Sequence, residues 1–366
     1  MASKNLKIAF IGTGIMGAPI AGHIMDAGYE LTVYNRTKEK AADLIEHGAA
    51  WADSVAEAAK DADVVFTMVG FPTDVEEVYL AGEGLLASAK DGAYLIDLTT
   101  SAPELARDIA GAAEVCGKHA FDCPVTGGES GAIAGTLTAI IGATERDIEP
   151  VREVLETFTS KICCFGGAGK GQAAKLSNQV ALASAMVGMA DALSFAQQND
   201  LDVEQVREMI CSGTGNSGAM QQLAPKAIDG DYKPGFLVEH FLKDLGLALT
   251  VAEEKGLALP GADTAFTLYD MLDAIGGGRM GTQAITLLYQ EEAEAVAAGL
   301  DWSLYAAQHE HDDECDCGCG HDHGHGHGED HECCCGGRGH GEDHECCGGH
   351  GHGEGHECHC GHHHEG

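Results

Sequence analysis

The chain has 366 residues, 44% of them hydrophobic, and a formal net charge of −37. This length allows two domains and a tail, while the strong negative charge argues against nucleic acid or anionic lipid as a partner. No run of 18 or more apolar residues is present, so we expect no membrane span. The first residues lack the features of a secretory signal, which predicts a cytoplasmic protein.

The first 165 residues alternate between short apolar runs, typical of buried parallel strands, and stretches with helical spacing. Strands are predicted at 6–11, 31–34, 64–69 and 94–98, and helices at 15–27, 41–47, 74–80, 103–116 and 147–158. We expect 120–125 and 136–142 to extend the same sheet. This alternation predicts an α/β domain of the Rossmann class, with a doubly wound parallel sheet, over residues 1–165.

Residues 166–305 show helical patterns only, which predicts an all-α second domain for substrate binding and dimerisation. A long apolar stretch at 172–199 is typical of a helix buried between partners, such as two subunits. Shorter helices are predicted at 203–211, 219–228, 237–255, 262–274 and 284–298. We expect a ligand cleft between the two domains.

Residues 306–366 form a low-complexity tail that is rich in His and Cys. The segment 327–334 recurs unchanged at 340–347, and a degenerate copy follows at 352–358. Thiolate and imidazole groups at such spacing favour Zn²⁺ or Ni²⁺. The first predicted ligands are Cys315, Cys317, Cys319, His321, His323, His325 and His327.

A G-x-G-x-x-G motif follows the first predicted strand directly and opens a helix, which is the context expected of a dinucleotide site. Its residues are Gly12, Thr13, Gly14, Ile15, Met16 and Gly17. The second strand is followed by Asn35, Arg36 and Thr37, where an acidic residue would bind the ribose of NAD. Because an arginine can accept a 2′-phosphate, we favour NADP over NAD. Stacking of Arg36 on the adenine of either cofactor is the alternative.

Two further segments carry polar groups that can take part in catalysis. One is Asp122-Cys-Pro-Val-Thr-Gly-Gly128, at a strand end, and the other is Gly169-Lys-Gly-Gln-Ala-Ala-Lys175-Leu-Ser-Asn178-Gln179. Lys175, Asn178 and Gln179 stand at i, i+3 and i+4, so they project from one helix face. A lysine in a nearly uncharged helix after Gly-x-Gly is a candidate acid or base.

Together with the glycine motif and Phe241-x-Lys243-Asp244-Leu-x-Leu-Ala248, these segments resemble the β-hydroxyacid dehydrogenases. That family includes 3-hydroxyisobutyrate dehydrogenase and tartronate semialdehyde (2-hydroxy-3-oxopropionate) reductase. The resemblance covers residues 5 to about 300. It implies a small carboxylate-bearing substrate and a homodimer or homotetramer.

The resemblance also implies roles for individual residues. Lys175 would be the general acid/base, with Asn178 holding the substrate or orienting the lysine. Thr126, Gly127 and Gly128 would bind the substrate carboxylate, although the family usually has Ser where this chain has Thr126, and Phe236 would line the pocket. The residues expected along the cofactor are Met68, Val69, Pro72, Thr99, Thr100 and Lys243.

Alternatives remain at this stage. Lys243 and Asp244 could form a plain surface ion pair. The chain could also be a metal-storage or metal-delivery protein that uses a dehydrogenase scaffold. The sequence does not choose among 3-hydroxyisobutyrate, tartronate semialdehyde, succinic semialdehyde and serine-like substrates.

Overall fold

The structure, a computed structural model, describes residues 6–309, and the side chains of 6–305. The described residues up to Ala306 form one compact unit. The predicted tail from 306 onward lies almost entirely outside the described residues. The predicted domain boundary near residue 165 stays a prediction.

The N-terminal half is built on a six-stranded sheet in the order β3-β2-β1-β4-β5-β6, in which every pair is parallel. The central strand β4 is buried along its whole length, which explains why its first three residues are apolar. The Rossmann prediction is therefore confirmed. The strands are β1 Lys7–Ile11, β2 Glu30–Tyr34, β3 Ala50–Trp51, β4 Val64–Thr67, β5 Tyr94–Asp97 and β6 His119–Asp122.

Helices cover this sheet, and the ends of several differ from their predicted bounds by one or two residues. They are α1 Gly17–Asp26, α2 Ala42–Glu46, α3 Val55–Ala59, α4 Pro72–Leu80, α5 Leu85–Ser88 and α6 Pro103–Val115, with a 3-10 helix at Lys38–Ala41. The predicted helix at 147–158 is broken. Pro150 interrupts it, because proline has no backbone N–H for the helical ladder. This part of the chain instead forms α8 Glu145–Ile148, a 3-10 turn Glu149–Val151 and α9 Arg152–Leu155.

The expectation that 136–142 extends the main sheet was wrong. After β6 the chain passes Pro124 and starts a separate three-stranded sheet in the order β7-β8-β9. Pro124 cannot donate to a ladder, and its carbonyl accepts from Ile140 N at 2.9 Å. The strands are β7 Val125–Thr126, β8 Leu137–Ile141 and β9 Thr159–Cys164, with α7 Gly128–Ala134 between the first two. The sequence analysis missed β9 because only Thr159 of its six residues is buried and because it carries Lys161.

The second half is helical, apart from one bridge between Leu237 and Gly281. Its helices are α10 Lys170–Gln198, α11 Val203–Cys211, α12 Gly218–Gln222, α13 Ala224–Ile228, α14 Val238–Glu254, α15 Pro260–Ala274, α16 Glu292–Ala297 and α17 Trp302–His309. Two predicted helices are not continuous. The segment 219–228 divides at Leu223, just before Pro225, and the first half of 284–298 is the 3-10 helix Thr282–Tyr289.

The long helix α10 lies in the centre of this helical half. By length and composition it could cross a membrane, but Met186, Met189 and Leu193 on it belong to a buried core shared with α14 and α15. It is thus a core helix of the described unit. Its first turns, which adjoin the sheet, place Lys175.

Candidate active site

The glycine motif forms a tight turn between β1 and α1. Gly12 has φ +98°, and a Cβ there would lie 2.1 Å from the carbonyl oxygen of Met68, so only glycine fits. A Cβ on Gly17 would lie 1.9 Å from the carbonyl oxygen of Gly12. At Gly14, by contrast, an added Cβ would meet nothing within 4 Å. The turn therefore leaves open space at Gly14, where the motif requires close approach of a pyrophosphate.

Two further features of this turn suit a bound dinucleotide. Thr13 Oγ1 is buried and has no hydrogen-bond partner among residues 6–309. The backbone N–H of Thr13 donates to Asn35 Oδ1 at 3.1 Å, and Asn35 Nδ2 donates to the carbonyl of Thr37 at 2.8 Å. Asn35 thus fixes the turn against the end of β2. The residues present fit a dinucleotide cofactor, whose phosphates would lie at Gly12–Gly17 over the start of α1.

The ends of β4 and β5 complete this side of the site. Met68 N donates to the carbonyl of Ile11 at 2.8 Å, and Val69 N donates to Thr99 Oγ1 at 3.0 Å. Pro72 begins α4. The structure therefore brings the predicted loop residues after β1, β4 and β5 together at one edge of the sheet, while Ile15 remains 46% exposed beside them.

A buried carboxylate anchors the start of α10 to the end of β6. Asp122 accepts from Gly169 N at 2.8 Å and from Gln172 N at 2.7 Å. Burial raises the pKa of Asp122, although these backbone N–H groups oppose the rise. A Cβ on Gly142 would lie 2.0 Å from the Asp122 carboxylate, and one on Gly171 would lie 2.7 Å from it. Both glycines therefore make room for this anchor.

Gln172 makes a second connection between the two halves. It is fully buried, its Oε1 accepts from Ser101 N at 2.9 Å, and its Nε2 donates to the carbonyl of Thr99 at 2.7 Å. The sequence analysis gave Gln172 no role. Its position between Gly171 and Lys175, in a stretch almost free of charge, was the available signal. Gln172 fixes the loop after β5 relative to Lys175, three residues further along the helix.

Lys175 is 8% exposed and lies one helical turn inside α10. Burial lowers its pKa to about 8; the carboxylate of Asp244 opposes this shift and the charge of Lys243 adds to it. A lysine with such a pKa is partly deprotonated near neutral pH. It can therefore take up or release a proton, as a general acid/base must.

A chain of polar contacts surrounds this lysine. Asn178 Nδ2 donates to Gln179 Oε1 at 2.9 Å, and Gln179 Nε2 donates to Asp244 Oδ2 at 2.6 Å. Lys243 Nζ lies 3.0 Å from Asp244 Oδ1. Gln179 and Asp244 are both buried, so this network holds α10 and α14 in register around Lys175.

Lys243 also reaches the sheet, since its Nζ donates to the carbonyl of Thr100 at 2.6 Å. The lysine is largely buried, with 12% of its side chain exposed. The structure therefore places Lys243 and Asp244 inside the junction between the halves, and the alternative of a plain surface pair does not describe them. Lys243 and Thr100, which were both predicted to lie along the cofactor, are in direct contact.

The predicted carboxylate-binding segment lies where β7 passes into α7. Gly127 has φ +131° and Gly128 has φ +64°, and both are exposed. An added Cβ would meet nothing within 4 Å at Gly128, whereas at Gly127 it would lie 3.0 Å from a side-chain carbon of Leu137. Thr126 is half-buried and pairs with Thr138 across the small sheet. Phe236 packs against Phe241 with ring centroids 5.5 Å apart, at the edge of the helical core.

Asp97, at the end of β5, is a further group that the sequence analysis missed. Burial raises its pKa to about 7, while hydrogen bonds from Thr99 oppose the shift. Its Oδ1 accepts from Thr99 N at 2.9 Å. Asp97 thus shapes the loop that also contacts Gln172 and Lys243.

The predicted metal ligands from Cys315 to His327 lie outside the described residues. Within residues 6–309, no group of three or more His, Cys, Asp or Glu side chains is arranged to hold a metal ion. The metal predictions for the tail stay predictions.

Comparison with known proteins agrees with this geometry. Residues 7–167 match the family model for the NAD binding domain of 6-phosphogluconate dehydrogenase. Residues 169–289 match the model described as NAD-binding of NADP-dependent 3-hydroxyisobutyrate dehydrogenase. An uncharacterized oxidoreductase of Bacillus subtilis, YkwC, is 45% identical over 282 residues, which cover 77% of this chain and 98% of the relative. The chain belongs to the β-hydroxyacid dehydrogenase family.

Other relatives support this membership. The 3-hydroxyisobutyrate dehydrogenase of Pseudomonas aeruginosa is 36% identical over 271 residues, covering 72% of this chain and 91% of that protein. Among solved structures, the Mycobacterium tuberculosis 3-hydroxyisobutyrate dehydrogenase with L-serine has a TM-score of 0.71 and 32% identity, over 78% of this chain and 99% of that one. Psf3 in complex with NADP+ and 2-OPP has a TM-score of 0.72 and 28% identity, over 77% of this chain and 100% of that one. This β-hydroxyacid dehydrogenase is an NAD(P)-dependent oxidoreductase that acts on a small molecule.

Proposed function

We propose that the enzyme interconverts a small β-hydroxyacid and its semialdehyde, with Lys175 as the general acid/base. The observation that carries the proposal is the burial of Lys175 with a pKa lowered to about 8, beside the network of Asp244 and Lys243. A solvated lysine would stay protonated at neutral pH and could not act as a base.

The chemistry that a bound nicotinamide cofactor would supply is hydride transfer: it would accept a hydride in the oxidation and donate one in the reduction. In the oxidation Lys175 Nζ takes the proton of the substrate hydroxyl, and in the reduction it returns a proton to the carbonyl oxygen. The hydroxyacid and oxidised cofactor thus give the semialdehyde, reduced cofactor and one proton. Asn178 orients the lysine or holds the substrate, and the burial of Lys175 limits its contact with water.

The carboxylate of the substrate is assigned to Thr126, Gly127 and Gly128. Their support is the exposed backbone at the two glycines, which lets N–H groups approach an anion without an intervening side chain. Phe236 is assigned to the pocket wall. The methyl group of Thr126, which serine lacks, narrows the space beside the carboxylate-binding residues.

We assign NADP as the preferred cofactor, with NAD as the alternative. Arg36 follows β2 with 73% of its side chain exposed, so its donors can meet a 2′-phosphate. The similarity to Psf3 bound to NADP+ supports this choice.

For the substrate, the relatives favour a three-carbon or four-carbon hydroxyacid. They include a protein of Pseudomonas aeruginosa named NAD-dependent L-serine dehydrogenase, which is 36% identical over 273 residues, and the 3-hydroxyisobutyrate dehydrogenase of the same organism. We propose 3-hydroxyisobutyrate or 2-hydroxy-3-oxopropionate chemistry, with L-serine as a further substrate to test.

A screen at 340 nm tests this proposal with NADH and NADPH against a panel of short semialdehydes. We expect turnover by the wild type and its loss in Lys175→Ala. Lys170→Ala is the matched control, since Lys170 lies on the same helix but is exposed. Equal activity of Lys175→Ala and the wild type would contradict the proposed role of the lysine.

We propose as a second function that the tail binds metal ions and thereby gives the enzyme a storage or delivery role. The repeated segments 327–334 and 340–347, and ligands at every second position from Cys315 to Cys319, support this proposal. Zinc and nickel binding to the full chain is to be measured by calorimetry. The test variant replaces Cys315, Cys317 and Cys319 with serine, and His321, His323, His325 and His327 with alanine. It should bind fewer ions and keep the dehydrogenase activity unchanged. Equal stoichiometry in both proteins would contradict the assignment of these ligands.

We further propose a cytoplasmic homodimer or homotetramer. Phe195 on α10 is 70% exposed and Met209 on α11 is 61% exposed, and such apolar side chains favour burial between subunits. Light scattering of the full chain should give a multiple of the 38.0 kDa chain mass. A monomer at micromolar concentration would contradict this proposal.

A further inference from the structure

The arginine assigned to the 2′-phosphate is paired with a carboxylate. Arg36 Nη1 lies 2.9 Å from Asp74 Oδ1, and the ion pair joins the end of β2 to the first turn of α4. The two partners differ in exposure, because 73% of the Arg36 side chain is exposed but only 13% of the Asp74 side chain. Arg36 can therefore move into solvent, whereas Asp74 is held by its surroundings.

The contacts of Asp74 explain why it is fixed. Its Oδ2 accepts the backbone N–H of Phe71 at 3.1 Å, which satisfies an N–H at the start of α4. A Cβ added to Gly70 would lie 3.3 Å from the same oxygen, so the carboxylate lies directly over the loop after β4. That loop also borders the glycine turn, because the carbonyl of Met68 lies against Gly12.

A neighbouring positive charge, that of Lys38, has a different contact. Lys38, two residues further along the chain, has its Nζ 5.0 Å from the centroid of the Trp51 ring, where a cation–π contact holds it. Arg36 is therefore the cation at the end of β2 that shares its charge with a fixed anion.

We propose that Asp74 is a specificity-determining residue of the cofactor site: its fixed carboxylate competes with a 2′-phosphate for Arg36 and thereby limits the preference for NADP over NAD. This inference rests on the proposed assignment of Arg36 to the 2′-phosphate. It goes beyond that assignment by naming the group that sets how strong the preference is.

The physical reason is the difference in charge between the two cofactors at this position. A 2′-phosphate brings close to two negative charges, which the Asp74 carboxylate repels while it occupies one edge of the guanidinium. The 2′-hydroxyl of NAD is neutral, so the same carboxylate leaves NAD binding almost unchanged. Because the ion pair is exposed on the arginine side, it exchanges readily and does not block NADP altogether.

The test compares Asp74→Asn and Asp74→Ser with the wild-type full chain. Both variants keep an oxygen that can accept the Phe71 N–H but remove the charge. Asp91→Asn is the matched control for net charge, since Asp91 is 97% exposed and lies in the turn before β5. Binding of NADPH and NADH is followed by nicotinamide fluorescence, and adenosine 2′,5′-bisphosphate and 5′-AMP serve as competitors.

We expect the two Asp74 variants to bind NADPH about 5-fold more tightly, as expected for the loss of one nearby like charge in water, with NADH within about 2-fold of wild type. The gain should extend to adenosine 2′,5′-bisphosphate and should shrink at high salt, because counterions screen the repulsion. Asp91→Asn should bind both cofactors as the wild type does.

A parallel Arg36→Ala variant separates two kinds of failure. If Arg36→Ala weakens NADPH binding but neither Asp74 variant strengthens it, the role of Asp74 is overturned and the assignment of Arg36 stands. If Arg36→Ala leaves the ratio of the two dissociation constants unchanged, the assignment of the 2′-phosphate to Arg36 fails, and the inference fails with it.

Discussion

The two sides of the active site are built in different ways. The cofactor side is formed by backbone: Gly12, Gly14 and Gly17 shape a turn in which side chains are absent where space is needed. The catalytic side is formed by side chains: the pKa of Lys175 on α10 depends on Asp244 and Lys243 of α14, and Gln179 of α10 holds Asp244. A short motif can encode the first kind of site, whereas the second requires residues far apart in sequence to meet.

The largest expected effect lies on the side-chain half. Lys175→Met should lower kcat by about 10²–10⁴-fold, the usual contribution of a general acid/base. Since methionine keeps the length of the side chain, the fold and cofactor binding should persist. Steady-state kinetics with a fluorescence titration of NADPH would check both. A loss of less than 10-fold would mean that another group moves the proton.

The backbone half offers a contrast between two neighbouring glycines. Gly12→Ala should destabilise the protein by about 2–3 kcal/mol, because the new Cβ would meet the Met68 carbonyl at a positive φ. Gly14→Ala should leave the melting temperature unchanged but weaken cofactor binding, because its Cβ points into open space. Thermal unfolding and cofactor titration of both variants would show whether Gly12→Ala lowers the melting temperature and Gly14→Ala lowers the affinity for the cofactor. Equal melting temperatures for the two variants would contradict the account of Gly12.

The pH dependence of catalysis tests the surroundings of Lys175. The base form is needed for oxidation, so the rate should rise with pH through about 8. Asp244 raises the pKa of Lys175, so Asp244→Asn should move this rise of the rate, the rising limb of the pH profile, to lower pH. The amide oxygen of the new asparagine can still accept a hydrogen bond from Gln179. Profiles of kcat for oxidation at constant ionic strength would measure the shift. A limb that stays in place or moves upward would show that Asp244 does not act on Lys175.

The smallest expected effect concerns Asp97. Its pKa is about 7 in the folded protein and 3.8 as the ordinary value, so the folded state holds a proton that the unfolded chain releases between these pH values. Stability is therefore lost as pH rises from about 4 to 7, by on the order of 1–3 kcal/mol. Asp97→Asn keeps an acceptor for Thr99 N but has no group that titrates. The free energy of unfolding of this variant, minus that of the wild type, should therefore be larger at pH 8 than at pH 5. Urea unfolding at both pH values measures this difference, and equal differences would contradict the assignment.

The sequence was sufficient for the parts of the molecule that depend on local patterns. The strands β1, β2, β4 and β5 follow from apolar runs, and the glycine motif follows from its spacing. Lys175 stood out because the helix around it carries almost no charge. The second sheet was missed, since the break at Pro124 and the strand β9, of which only one residue is buried, give weak signals.

The long-range contacts could not have been predicted from one sequence. Gln172 meets Thr99 across 73 positions, Gln179 meets Asp244 across 65, and Lys243 meets Thr100 across 143. No periodicity or spacing rule connects positions so distant. Asn35 shows the same limit on the cofactor side, because its amide turned out to secure the backbone of Thr13 and Thr37.

The attachment of α10 to the sheet has a consequence for how the enzyme selects its substrates. Because Asp122 and Gln172 tie the first turn of the helix to β6 and to the loop after β5, the distance from the cofactor turn to Lys175 is set when the chain folds. The entropy of placing Lys175 relative to the cofactor turn is thereby lost once, during folding, whereas substrate and cofactor lose theirs each time they bind. Such an enzyme discriminates among hydroxyacids that share the carboxylate by how well they fit this fixed arrangement, so one methyl group more or less should change turnover by about 10- to 200-fold.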